Sequence, residues 1–202
     1  MKKLAILGVK YFLIILFSFQ INAQNSENKI ISIAEKQLLK TLSLIPEGQE
    51  SSFGFINRNE FNQCTIGSPI QIITLAKNFD KVDLQNKIIM QNEWRIPVIS
   101  DNHYKTLLTV YNNGSQYEVV DIGGSGLAKE LELNSKNKNS SSKLCLLRIY
   151  QLSKDFMVVV PNGESFDKAT YFPIISGDKN IFLKSSYNYN EVIELITKLI
   201  NK

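Results

Sequence analysis

From Ile31 the apolar positions recur at Ile31, Ala34, Leu38 and Leu42, with Glu35, Lys36 and Lys40 elsewhere on the turn. Spacings of three and four place the apolar set on one helical stripe, and Pro46 ends the run because it cannot continue the hydrogen-bond ladder. Asn57 followed three residues later by Glu60 has the spacing of a capping box. A short helix is therefore expected from Arg58 to about Cys64, carrying Phe61 and Cys64 on one side and closed by Gly67. Ile70 to Leu75 reads as a strand. Three segments then combine aromatic and β-branched residues with turn chemistry at their ends: Trp94 to Ile99, Tyr104 to Tyr111 and Tyr117 to Ile122. They predict a three-strand meander.

Within it, Asn113-Gly114 is a strong hairpin signal, since both central residues of a type I′ turn need positive φ. A two-residue loop there would set Val110 against Tyr117, Leu108 against Val119 and Leu107 against Val120. Pro97 lacks a ladder donor, which makes the Trp94 strand an edge or puts a bulge in it. Beyond the glycines at 123, 124 and 126, Leu127 to Leu133 reads as a short helix, and Asn134 to Lys143 as a polar low-complexity loop. Leu144 to Leu152 and Phe156 to Val160 form a second hairpin. A last helix starts at Asn188, with Glu191 as its capping partner, and buries Val192, Leu195, Ile196, Leu199 and Ile200. The expected class is α+β: a mainly antiparallel sheet, meander plus hairpin, with N-terminal, short central and C-terminal helices packed on one face.

The first residues change how the rest is counted. A basic start at Lys2 and Lys3, an apolar run from Tyr11 to Phe19 and the small residue Ala23 have the order of a cleaved secretory signal. The nine residues after Lys10 are too few to span a bilayer, which takes about 20. The expectation is a signal peptide over 1–23, one globular domain over 24–202, a secreted or periplasmic location and no stable membrane anchor after cleavage. Cleavage removes Lys2, Lys3 and Lys10 and no acid, leaving 20 basic against 19 acidic side chains in 179 residues. Nucleic-acid binding is disfavoured, because it needs a cationic surplus to replace condensed counterions. The abundance of Asn, Lys and Ile points to an AT-rich, bacterial coding sequence.

Phe53-Gly-Phe55, Ile66-Gly-Ser-Pro69, Trp94-Arg-Ile-Pro-Val98, Leu107 to Val110, and Asp121-Ile-Gly-Gly124 with Leu127 to Leu131 form an ordered set over about Leu39 to Leu131. This arrangement resembles a pattern in uncharacterised secreted bacterial proteins. The resemblance brings no assigned activity, so it implies no catalytic residue.

No complete catalytic constellation emerges. The one His, His103, sits in the polar turn Ser100 to His103, and every His-dependent scheme would have to use it. Gly123-Gly-Ser-Gly-Leu127 misses the serine-hydrolase elbow, which needs Gly where Leu127 stands. One His and two distant Cys make no metal-ligand pair, so neither metal nor cofactor is expected. The leading expectation is an exported, non-catalytic binding or interaction domain for a protein or small ligand. Trp94 and Arg95 are its nominated binding residues, because Trp, Tyr and Arg dominate binding anchors. Two alternatives stand beside it: a secreted thiol-dependent hydrolase using Cys64 or Cys145 with His103, and an inhibitor or prodomain-like partner of a secreted protease. Export to an oxidising compartment also makes a Cys64–Cys145 disulfide the expected pairing.

Overall fold

Runs of Ile, Val, Leu and Tyr dictate the centre of the molecule, an eight-stranded sheet seen in a computed structural model that describes residues 26–76, 88–136, 142–174 and 184–200. The expected signal peptide lies outside the described residues. A helix over 26–42 (α1) opens the described chain, and 3-10 turns at Glu50–Phe53 and Arg58–Gln63 follow. The strands are β1 (Thr65–Ile66), β2 (Ile70–Leu75), β3 (Ile88–Ser100), β4 (His103–Asn112), β5 (Tyr117–Gly123), β6 (Lys143–Ile149), β7 (Lys154–Val160) and β8 (Thr170–Pro173). Helix α2 (Ser125–Ser135) lies between β5 and β6, and α3 (Tyr189–Ile200) follows β8. Sheet order is β5-β4-β3-β2-β6-β7-β8, with β1 paired to β3. Only β2–β6 is parallel among the described ladders. The fold is α+β with a mostly antiparallel sheet.

Both capping boxes form. The Asn57 side chain accepts from the Asn59 N–H at 2.9 Å, and the Glu60 carboxylate accepts from the Asn57 N–H at 3.3 Å. At α3, Asn188 Oδ1 accepts from the Glu191 N–H at 3.0 Å while Glu191 accepts from the Asn188 N–H at 2.9 Å. These reciprocal bonds satisfy donors that a helix start otherwise leaves open.

The helices do not share one face. Gln71 stands between Trp94 and Cys145 in register, so those three residues mark one side of the sheet. On that side α1 covers Ile96, Val98, Leu108 and Val110 through Ile30, Ala34, Leu38 and Leu42. Helix α3 covers Cys145, Leu147, Phe156 and Val158 through Val192 and Ile196. The alternate residues Ile70, Ile72, Leu107, Leu146 and Met157 face the other way and meet Ala128 and Leu131 of α2. Gly124, at φ +76, supplies the left-handed turn between β5 and α2. Strands buried on both faces need apolar residues in succession, and Leu144 to Leu147 and Phe156 to Val160 have them.

Of the two meander turns, the first falls where expected and the second does not. Asp101 and Asn102, at φ 53° and 62°, make the two-residue turn between β3 and β4 without a glycine. The β4–β5 turn takes four residues, 113–116, so Val110 pairs with Val119 and Leu108 with Ile122. Asn112 and Asn113 impose this length, because their side-chain oxygens accept backbone N–H groups of Gly114, Ser115 and Gln116. Pro97 lies in an internal strand. Its carbonyl accepts from the Gly67 N–H at 2.8 Å. Its missing donor therefore faces the break between β1 and β2, where no strand N–H is required.

Candidate functional site

Trp94 and Arg95 are adjacent in β3 and project to opposite faces, since the β3–β4 bulge falls later, between Val98 and Ile99. Trp94 is half-buried against the α1 core and meets the Tyr117 ring edge-on, with centroids 5.6 Å apart. The pair is thus not one contact surface. Arg95 enters the α2 side of the sheet. Its Nη1 donates to Thr109 Oγ1, its Nη2 lies 3.5 Å from Glu93, and its Nε is buried without a partner. The side chain keeps only 15% of its exposure. Burial, followed by the like charge of Arg148, pushes the Arg95 pKa down from its ordinary value.

Arg148 projects from β6 onto the same face. Its Nε and Nη2 reach the two oxygens of Asp155 at 3.3 and 3.2 Å, a planar fork. Burial opposes the Arg148 charge, but the Asp155 bonds outweigh it and hold its pKa above the ordinary value. Opposite it, Thr74 Oγ1 donates to the Arg148 carbonyl at 2.9 Å. An irregularity in β3 shapes this region: Gln71 pairs with Trp94 but Ile73 with Met90, so three β3 residues oppose Ile72 alone. Such extra residues re-aim neighbouring side chains. The result is a charged seam of Arg95, Glu93, Arg148 and Asp155 on the α2 side of the sheet.

Past Arg148 the seam meets a cavity of about 540 Å³ lined by Thr74, Leu75, Ile89, Tyr150 and Gln151. Its walls are almost wholly apolar. Ile89 and Tyr150 expose 46% and 60% of their surfaces there. Both would lose apolar surface to water if a ligand covered them. Sequence reading nominated Arg95 but missed Arg148, Ile89 and Tyr150. The available signal was Arg148 itself, a cation set between the apolar residues Leu147 and Ile149 of β6.

The nominated thiols lie elsewhere. Cys64 and Cys145 are both free, which corrects the expected disulfide. Cys64 packs against the α1 core, whereas Cys145 is sealed in the α3 core, so burial in separate clusters replaces a cross-link. Burial, reinforced by Glu60 and Asp101, pushes the Cys64 pKa up to about 11; burial does the same to Cys145. Thiols held protonated in this way are weak nucleophiles. His103 is exposed and engages Glu132 of α2, with Nδ1 and Oε1 3.0 Å apart. Glu132 also accepts the Tyr104 N–H at 2.9 Å, so it latches α2 to the start of β4. Burial would raise the Glu132 pKa, but these two bonds hold it below the usual carboxylate range. Ser125 Oγ donates to the Ser52 carbonyl at 2.9 Å, an anchoring role.

Among the described residues no three His, Cys, Asp or Glu side chains form a metal-holding group, and no helix is long and apolar enough to cross a membrane. Comparisons with protein-family models, curated proteins and solved structures found no match.

Proposed function

We propose that the chain is an exported, non-catalytic binding domain whose ligand is a small apolar molecule seated between Ile89 and Tyr150. One observation carries this reading: a 540 Å³ apolar cavity beside the half-buried Arg95–Arg148 seam. Cavities of about 300–1,000 Å³ with apolar walls and a few fixed polar groups are the usual form of small-ligand sites. The depressed nucleophilicity of both cysteines supports binding over thiol chemistry.

The neutral fluorophore N-phenyl-1-naphthylamine tests this directly. Its emission should rise on addition of the protein, and Ile89→Asp should abolish the rise while leaving the melting temperature unchanged, because Ile89 is exposed. A probe that stays dark with wild type, or lights equally with Ile89→Asp, rejects the site.

A further inference from the structure

The tip of the β4–β5 hairpin has a chemistry of its own, and it is independent of the cavity. Asn113 and Gly114 are exposed. Asn113 Oδ1 accepts two backbone N–H groups, from Ser115 at 2.9 Å and Gln116 at 3.0 Å. Gly114 has φ +94, an absent side chain, and open space where a Cβ would stand. Its own N–H is held by Asn112 Oδ1 at 2.9 Å.

We propose that Asn113 is a self-modifying site, which the fold itself predisposes to deamidate through its neighbour Gly114. The Gly114 N–H first parts from Asn112 Oδ1; its nitrogen, losing that proton to solvent, then attacks Asn113 Cγ and forms the N–Cγ bond. Charge develops on Oδ1, where the Ser115 and Gln116 N–H groups already point at oxyanion-binding distance. The Cγ–Nδ2 bond then breaks, Nδ2 takes a proton from water, and ammonia leaves a five-membered succinimide. Water opens that ring at either carbonyl, giving an aspartyl or an isoaspartyl residue at position 113. The aspartyl product keeps an acceptor for both N–H groups. The isoaspartyl product inserts a methylene into the backbone of a turn whose length sets the β4–β5 register, so the two products differ in structural consequence.

The chain carries its own control. Asn162 and Gly163 are the same dipeptide, also exposed, in a turn closed by the Glu164 N–H on the Pro161 carbonyl at 3.1 Å. Gly163 is at φ +76 with open space around it. Among the described residues the Asn162 side chain has no protein donor, so charge developing there is met by solvent and not by a positioned N–H. The dipeptide and its exposure match; the hydrogen bonding differs, with paired donors on Asn113 Oδ1 and a Gly114 N–H held by Asn112 Oδ1.

Folded protein aged in mildly alkaline buffer and mapped by peptide mass spectrometry reports both positions at once. The expected result is conversion at Asn113 faster than at Asn162 by roughly 10-fold, a fraction of what one such donor contributes in a closed enzyme site. In denaturing urea the ratio should fall to about one, because the donors are then no longer positioned. Equal rates in the folded state, faster conversion at Asn162, or a ratio that survives urea overturns the proposal.

Discussion

Gly54 offers the sharpest test of how the N-terminal turns seat on the sheet. It ends the Glu50–Phe53 turn at φ +87, and a Cβ built there would lie 2.3 Å from the Lys105 carbonyl oxygen. Ordinary contact begins near 3.4 Å, so Gly54→Ala requires a displacement of 3.4 − 2.3 = 1.1 Å between two backbones. Lys105 is the extra residue of the β4 bulge, and its Nζ lies 2.8 Å from the buried Glu60 carboxylate. The displacement therefore strains the ion pair and the Phe55–Phe61 contact together. The left-handed conformation alone costs Ala about 1 kcal/mol, and overpacking typically adds about 1–3 kcal/mol, giving a loss of about 2–4 kcal/mol. Gly48→Ala separates the two contributions, since Gly48 has φ +81 and no atom within 4 Å of its would-be Cβ. Urea titration of both variants at constant m-value reads the difference. Equal losses would refute the argument, because the close approach to Lys105 would then carry no energy.

Three further outcomes are expected. Trp94→Ala should cost about 3 kcal/mol in urea unfolding, the low end for truncating a packed Trp, because the indole is half-buried against Tyr117; a loss below about 1 kcal/mol would make Trp94 a surface group instead. Burial opposes ionisation of Glu60, but the Lys105 ammonium and the Ile56 and Asn57 N–H groups hold its pKa below the ordinary 4.5. Its contribution is thus present above 4.5 and lost as pH falls through the lower folded value, so melting temperature should drop less on acidification in Glu60→Gln than in wild type; parallel profiles would contradict this. Cys64 and Cys145 should alkylate slowly at neutral pH in the native state and quickly in urea, with mass showing two free thiols; rapid native labelling would reject the raised pKa values.

Much of the local architecture was readable because its causes are local. The meander announces itself in β-branched and aromatic runs, and Asn57 with Glu60, or Asn188 with Glu191, fixes a helix start through bonds within one turn. The β4–β5 register differs by two residues at Val110, because Asn112 and Asn113 act through their side chains, which a dipeptide signal does not weigh, and by three at Leu108, beyond the bulge at Thr109 and Val110. The helices do not share one face because β6 and β7 are apolar without interruption, so their second side also needs a cover, which α2 supplies. The site was harder still. Arg95 was legible by type, but its separation from Trp94 and its approach to Arg148 depend on the sheet register and on the parallel pairing of distant strands. The cysteines illustrate the same limit: their number suggested a bond, and their three-dimensional burial in different clusters decided otherwise.

The parallel pairing of β2 with β6 also bears on how the chain survives its own synthesis. Gln71 pairs with Cys145, a separation of 145 − 71 = 74 residues, whereas β6 and β7 close across the four residues 150–153. Closing the longer loop costs about 2.6 kcal/mol more in chain entropy, by the logarithm of the two lengths. Until β6 has emerged and docked, β2 presents Ile70-Gln-Ile-Ile-Thr-Leu75 with one row of backbone groups unpaired. That is an apolar, uncharged strand with no proline, the composition that recruits other chains edge to edge. A fragment ending before Lys143 should therefore scatter light at concentrations where the whole chain stays clear, and a monodisperse fragment would show that the first half protects this edge without its later partner.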